Sequence, residues 1–220
     1  TTQQQFTYRM TVEQAKGTSF QVTSSIADET SMIKSFNYTA SIDAFPTGKL
    51  HLHMNLSHPK LLNIDRGDAV RIEIQRNEEP FSSVFFGEIV SQTFNFTEKD
   101  GKQLVLDLIS PFVKLGQENL NADDVAGKTF QQLCEGLIEK CAIRGAFRFH
   151  PSVPSNIPLG YVHRFPALAL IKMICYQNKL ALHIPVGDVL EIRTISAFFD
   201  DTPVFVLNES DIVSGELRRN

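Results

Sequence analysis

Tryptophan is absent from this 220-residue chain, and tyrosine occurs only four times against 17 phenylalanines. Phenylalanine alone must therefore supply most of the large aromatic packing. Cysteine is nearly as scarce: Cys134, Cys141 and Cys175 make an odd count, and no two of them form a CxxC pair. Cys134 and Cys141 lie seven apart in an expected helix, so at about 1.5 Å rise per residue they stand roughly 10 Å apart, too far for a disulfide. Three reduced thiols in a protein folded in a reducing cytoplasm are expected. No apolar run is long enough to span a bilayer. The opening TTQQQFTYRM has neither the basic-then-apolar pattern of a signal peptide nor an initiator Met, as expected of a processed or trimmed chain. Charge of either sign is not in excess: 21 Lys and Arg against 25 Asp and Glu leave a net charge of −4. That balance argues against broad nucleic-acid binding, although a ring of many copies could still gather one sign of charge on its inner wall.

Catalytic signatures are missing too. There is no Gly-x-Ser-x-Gly and no His-Glu-x-x-His. Gly127-Lys128-Thr129 imitates the end of a phosphate-binding loop, but the motif needs another glycine five positions earlier and position 122 is Ala. A helix N-terminus explains these residues. His51 and His53 share one strand face and, with His58, are the best metal candidates, yet no Cys or carboxylate lies close to them in sequence. They are expected to face solvent or a subunit contact. Glu135 and Glu139 read as the wet face of a helix, and Asp123-Asp124 and Asp200-Asp201 as loop acids. Arg66-Gly67-Asp68 spells an adhesion tripeptide but has the chemistry of an ordinary turn feeding a strand. Basic and aromatic residues interleave from Arg144 to Arg164 (Phe147, Arg148, Phe149, His150, Tyr161, His163, Arg164), which could be a nucleic-acid patch or a strand with two unlike faces plus a loop. No catalytic, cofactor-binding or metal-ligating residue is assigned, and no cofactor is expected.

What the chain does contain is alternation. Val70, Ile72 and Ile74 point one way and Arg71, Glu73 and Gln75 the other, the period of a half-buried strand. Similar runs occupy 6–12, 19–25, 36–42 and 50–56, with turns expected at Lys16-Gly17, Asp28-Glu29 and Phe45-Pro46-Thr47-Gly48. Beyond the apolar run Val84-Phe85-Phe86 and Gly87, the stretch Glu98-Lys99-Asp100-Gly101 signals a hairpin into a strand over 103–109. Many short strands with regular breaks predict a barrel or sandwich over 1–115. From Ala126 the period changes. Phe130, Leu133, Cys134, Leu137, Ile138 and Cys141 recur at helical spacing behind Thr129 as N-cap. After Pro151, Pro154 and Pro158, a second, well-buried helix is expected from Pro166 to near Asn178-Lys179. A hairpin through Val186-Gly187-Asp188 follows, then a strand over 204–207. The class is α+β, mostly β: a β domain over 1–115, a helix-containing α+β insertion over 116–200, and a strand and tail over 201–220 returning toward the β domain.

This order of elements resembles the baseplate hub proteins of contractile phage tails, the Mu-like hub and late-control protein D group, related to the hub half of VgrG-like spikes. Arg66-Gly67-Asp68-Ala69-Val70-Arg71-Ile72 followed by Phe85-Phe86-Gly87-Glu88-Ile89-Val90 is similar to that family's strand pair. The stretch 104–115, with Asp107, Ser110 and Pro111, is similar to the segment that closes the first barrel, although Ile109-Ser110-Pro111-Phe112-Val113-Lys114 stands where the family often has Arg-Ser before Leu-Val-Asp. Residues 129–143 and 163–193 follow the family's helix and hairpin, with Gln177-Asn178-Lys179-Leu180 at the helix end and Val186-Gly187-Asp188-Val189-Leu190 at the hairpin.

The resemblance covers most of the chain. It implies a tube-like β-barrel with a helical insertion, and a non-enzymatic structural component of a phage-type tail that joins tail tube to spike. It implies as partners a ring of its own copies (a trimer), tail tube and spike proteins, and genome DNA passing without sequence-specific binding, with no membrane insertion. The site would be the virion tail, after assembly in the host cytoplasm. Only 204–220 follow the insertion, so the second barrel of a typical hub is expected to be missing, truncated or supplied otherwise. Strand edges of the β domain, and polar faces such as Arg71-Glu73-Gln75, are the expected lumen or subunit contacts. The reading of another class is a monomeric β-barrel binding module for single-stranded nucleic acid or a peptide. An enzyme would need His51, His53 or the Glu135/Glu139 pair.

Overall fold

Alternating residues in the first half of the chain put one row of side chains into a core and the next into solvent. The computed structural model describes residues 6–25, 32–41, 44–54, 63–97 and 101–199. Seven strands run in chain order: β1 (Phe6–Glu13), β2 (Ser19–Ser25), β3 (Ile33–Ser41), β4 (Ala44–His53), β5 (Ala69–Arg76), β6 (Ser82–Thr97) and β7 (Gly101–Ile109). They form one sheet in the order β2-β1-β5-β6-β7-β4-β3, and every neighbouring pair is antiparallel. Met10, Val12, Leu50, Leu52, Val70, Ile72, Leu104 and Leu106 are fully buried in a common cluster on one face. The sheet is strongly curled. Strands spaced at about 4.8 Å would hold β6 and β3 about 14 Å apart if flat, yet the Phe85 and Phe36 rings meet with centroids 5.4 Å apart. Among the described residues the outer strands β2 and β3 do not pair, so the tube-like part is a curled sheet and not a closed barrel.

One expected turn is corrected. Phe45-Pro46-Thr47-Gly48 lies inside β4, which already begins at Ala44. Pro46 is tolerated because it falls at the register shift between the Thr39 and Ser41 pairings with β3, where the ladder is interrupted. Gly48 is there for space: a Cβ would come within 3.0 Å of the Phe85 ring. The strands flanking the expected Asp100-Gly101 hairpin pair from Thr97 with Gly101 onward, and Glu98 to Asp100 lie outside the described residues.

Ser110, whose hydroxyl accepts from the Phe112 N–H, caps a 3-10 turn at Pro111–Gly116. The second half then runs β8 (Asn119–Leu120), α1 (Ala122–Val125), α2 (Phe130–Lys140), β9 (Ala146–Phe149), β10 (Phe165–Pro166), α3 (Ala167–Gln177), β11 (Leu180–His183), β12 (Val189–Thr194) and α4 (Ile195–Phe199). β8 pairs with β10, while β12 pairs antiparallel with β11 and parallel with β9. Thr129 caps α2 as expected, in a reciprocal box with Gln132. Helix α3 starts at Ala167, with Pro166 as its N-cap, and ends at Gln177, with Asn178 as its C-cap. A second buried cluster joins Phe112, Phe130, Leu133, Leu137, Leu170, Ile171 and Ile174. The Phe112–Phe147 and Phe130–Phe149 edge-to-face pairs, with centroids 5.5 and 5.9 Å apart, knit it together. Among the described residues no helix is long and apolar enough to cross a membrane. The strand expected over 204–207, and the tail to 220, lie outside the described residues.

Candidate functional site

The polar face of β5 binds within the molecule. Glu73 accepts from Nε and Nη2 of Arg9 on β1, at 2.6 and 2.8 Å, and Arg9 also lies 4.0 Å over the Phe81 ring. The bidentate bond holds the Glu73 carboxyl below its ordinary range. Gln75 donates to the Glu79 carbonyl. Arg71 pairs with Asp188 at 2.7 Å, donates to Ser83 and lies over the Phe86 ring. Arg71 thus belongs to a junction between the sheet and the β11–β12 hairpin. There the Phe86 N–H donates to the Val186 carbonyl at 2.6 Å, and the buried Ser110 hydroxyl donates to the Gly187 carbonyl at 2.7 Å. Lys114 bridges the same two halves through Glu88 and the Ala142 carbonyl. Arg71, Glu73 and Gln75, expected at a lumen or subunit contact, thus form bonds within the monomer. Sequence reading missed Asp188, Phe86 and Gly187 as junction residues, because Val-Gly-Asp looks like any hairpin turn.

The other candidates are dispersed. His51 and His53 are half-buried on β4, opposite Val105 and Gln103 of β7; His58 lies outside the described residues. Among the described residues no group of three or more His, Cys, Asp or Glu side chains converges to hold a metal. Asp68 is buried and accepts from the Ala15 and Asp65 N–H groups, a turn-fixing role. Glu135, Glu139 and Asp123 are exposed. Asp124 accepts from the Asn121 N–H and Lys140, which hold its carboxyl below the ordinary range. Asp200-Asp201 lies outside the described residues. The three cysteines are free thiols. Burial pushes all three up, Cys175 to about 12, so none is poised as a nucleophile. The Arg144–Arg164 mixture divides: Phe147 and Phe149 join the second core, while Arg148, Tyr161, His163 and Arg164 are exposed.

What the sheet does leave open is the far half of β6. Among the described residues its first half pairs with β5 as far as Glu88, and its second half pairs only with β7, from Glu88 to Thr97. The register shifts between Ile89 and Ser91, and the backbone bonds of Ile89 with Gly67 and Asp68 are the last on the β5 side. Beyond them Val90-Ser-Gln-Thr-Phe-Asn-Phe-Thr97 carries no charge, and 90–96 are exposed. Phe94 stands opposite Leu104 and Gln92 opposite Leu106, so they continue the core-facing row. Leu104 and Leu106 are wholly buried, whereas Phe94 is 58% and Phe96 73% exposed. The signal for this site was the uncharged alternating run itself.

No family model matches the chain, and no curated protein matches it. Solved structures match it in fold. The 43 kDa tail protein of prophage MuSo2 from Shewanella oneidensis is 12% identical, with a TM-score of 0.51 over 85% of this chain and 55% of its own. A tail protein from Neisseria meningitidis MC58 is 15% identical, with a TM-score of 0.54 over 84% of this chain and 51% of its own. A chain of the lidded Francisella PdpA-VgrG complex is 11% identical, with a TM-score of 0.53 over 94% of this chain and 31% of its own. The fold is thus one shared by phage tail proteins and a VgrG complex, the class the sequence resembles. The chain spans about half the length of these two tail proteins.

Proposed function

We propose that the chain is a non-enzymatic structural component of a phage-type tail: a hub or hub-like baseplate protein that joins tail tube to spike and lines part of the conduit for genome delivery. The observation that carries this reading is the fold likeness to two tail proteins over 84–85% of the chain, which takes in both the curled sheet and the helix-containing half. In this reading residues 1–115 are a tube-like unit, 116–200 an insertion, and 201–220 a return toward the sheet. The mechanism is geometric. Copies associate into a ring, a trimer, and DNA passes through the lumen without sequence-specific contacts. The protein sits in the virion tail after assembly in the host cytoplasm. The junction around Arg71, Asp188 and Gly187 supports the reading, because a coupler between tube and spike must pass force between its halves without letting them separate.

The test is the mass in solution by light scattering over a range of protein concentration, alone and with tail tube and spike proteins from the same phage. A trimeric ring, alone or on those partners, is the expected result. A strict monomer that ignores both partners and binds single-stranded oligonucleotides in a salt-sensitive manner would overturn the reading in favour of the binding module.

A further inference from the structure

We infer that copies of this chain join head to tail by one defined strand pairing, the far half of β6 in one copy against β2 in the next. This rests on the ring-forming reading above and names its contact. At roughly 3.3 Å per residue, 90–97 presents about 26 Å of strand edge whose outward N–H and C=O groups have no backbone partner among the described residues. Soluble proteins blunt such edges with lysine, proline or a covering element. Among the described residues, 90–97 have no lysine, proline or covering element, and Phe94 and Phe96 stand on the core-facing side, where the buried Leu104–Leu106 row runs out from under its cover. A strand added there would extend the sheet and cover both rings.

The rest of the sheet selects the occupant. Among the described residues β2 is an outer strand, paired only with β1. Its sequence, Ser-Phe-Gln-Val-Thr-Ser-Ser, is uncharged, and its seven residues nearly match the length of the β6 edge. Phe20 and Val22 stand opposite Val12 and Met10 and are half-buried on the core side. Their spacing of two matches that of Phe94 and Phe96, so pairing the edges would set the two apolar rows side by side on one face. The other outer strand, β3, is broken by register shifts between Ile33 and Ser35 and between Thr39 and Ser41, irregularities of the kind that guard an edge. Pairing β6 with β6 across a two-fold axis would leave β2 open in both copies. The β6–β2 contact closes both edges with one interface, and a heterologous contact of that kind generates a ring when the rotation between copies closes.

The experiment uses the full chain and two blocked variants, Phe94→Lys/Phe96→Lys for the β6 edge and Val22→Lys for the β2 edge. Thr23→Pro serves as a second β2 block if Val22→Lys melts early. Masses are read by light scattering, with hydrogen exchange on the same samples. Wild type is expected to form a ring in which amides of 90–97 and 19–25 gain protection as concentration rises. Each variant alone should be monomeric. An equimolar mixture should give a 1:1 dimer that grows no further, since one competent pair of edges remains. If the β6-blocked chain is monomeric while the β2-blocked chain dimerises, β6 pairs with itself and the proposal is wrong. If both variants form the wild-type ring, the ring stands but its contact lies elsewhere. A wild type that stays monomeric, with fast exchange at 90–97 even beside tail tube and spike proteins, overturns ring and contact together.

Discussion

At Gly187 the chain passes so close to β6 that a Cβ would stand 1.9 Å from the Phe86 carbonyl oxygen, and φ there is +115°. Neither constraint can be met by any other residue, because the near atom is backbone and the angle lies outside the range of L side chains. Gly187→Ala should therefore lose at least about 2 kcal/mol of stability, read as a lower urea midpoint. A change of less than about 0.5 kcal/mol would mean that the hairpin does not dock as described. Glu73 gives a test of a different kind. Hydrogen bonding to Arg9 lowers its folded pKa below the ordinary 4.5, so the folded state binds fewer protons than the unfolded one near that pH. The pair's stabilisation is fully present above about pH 4.5 and is lost as pH falls through the depressed folded value. The stability gap between wild type and Glu73→Gln should thus be constant from about pH 8 to 5 and shrink in more acid solution. A gap that ignored pH would show that the Arg9–Glu73 ion pair contributes nothing.

Helix α2 shows how an element follows from local chemistry. Thr129 accepts from the Gln132 N–H, and Gln132 reaches back to the Thr129 N–H at 2.9 Å. Behind this box Leu133, Cys134 and Leu137 turn inward on one stripe. Thr129→Ala should cost about 1 kcal/mol and show as a lower melting temperature, whereas Lys128→Ala, at an exposed position outside the cap, should leave stability nearly unchanged. Helices α2 and α3 were legible from their helical period, with Thr129 capping the first and Pro166 opening the second, whereas the short α1 and α4 were not. The strands were legible wherever residues alternate, as at Met10 and Val12 or Leu50 and Leu52. The Phe45–Gly48 turn was misread because Pro and Gly usually break strands. Here tertiary contacts override that preference: Pro46 occupies an interrupted ladder position, and Gly48 makes room for Phe85. The function of the β5 polar face was illegible for a related reason. Arg71 and Asp188 lie 117 positions apart, and no local pattern reports a pairing at that separation.

For the whole molecule, the sequence carries the order of elements but not how the sheet ends. Its rim is set by where β5 stops covering β6, a matter of register that appears only once the strands are paired. Yet the character of that rim has a consequence that can be measured without any variant. Assembly driven by charge would weaken as added salt shortens the Debye length from about 14 Å at 50 mM to about 4 Å at 500 mM. The facing strands proposed here, 90–97 and 19–25, contain no ionisable side chain between them. What joins them is backbone hydrogen bonding and the burial of Phe94 and Phe96, and screening leaves both nearly untouched. The assembled mass should therefore stay constant across that range of salt. It should fall instead in low urea, well below the concentration that unfolds the monomer. Dissociation by salt at constant far-ultraviolet circular dichroism would point to a contact made by charged side chains, and the uncharged edge would then have no part in holding the copies together.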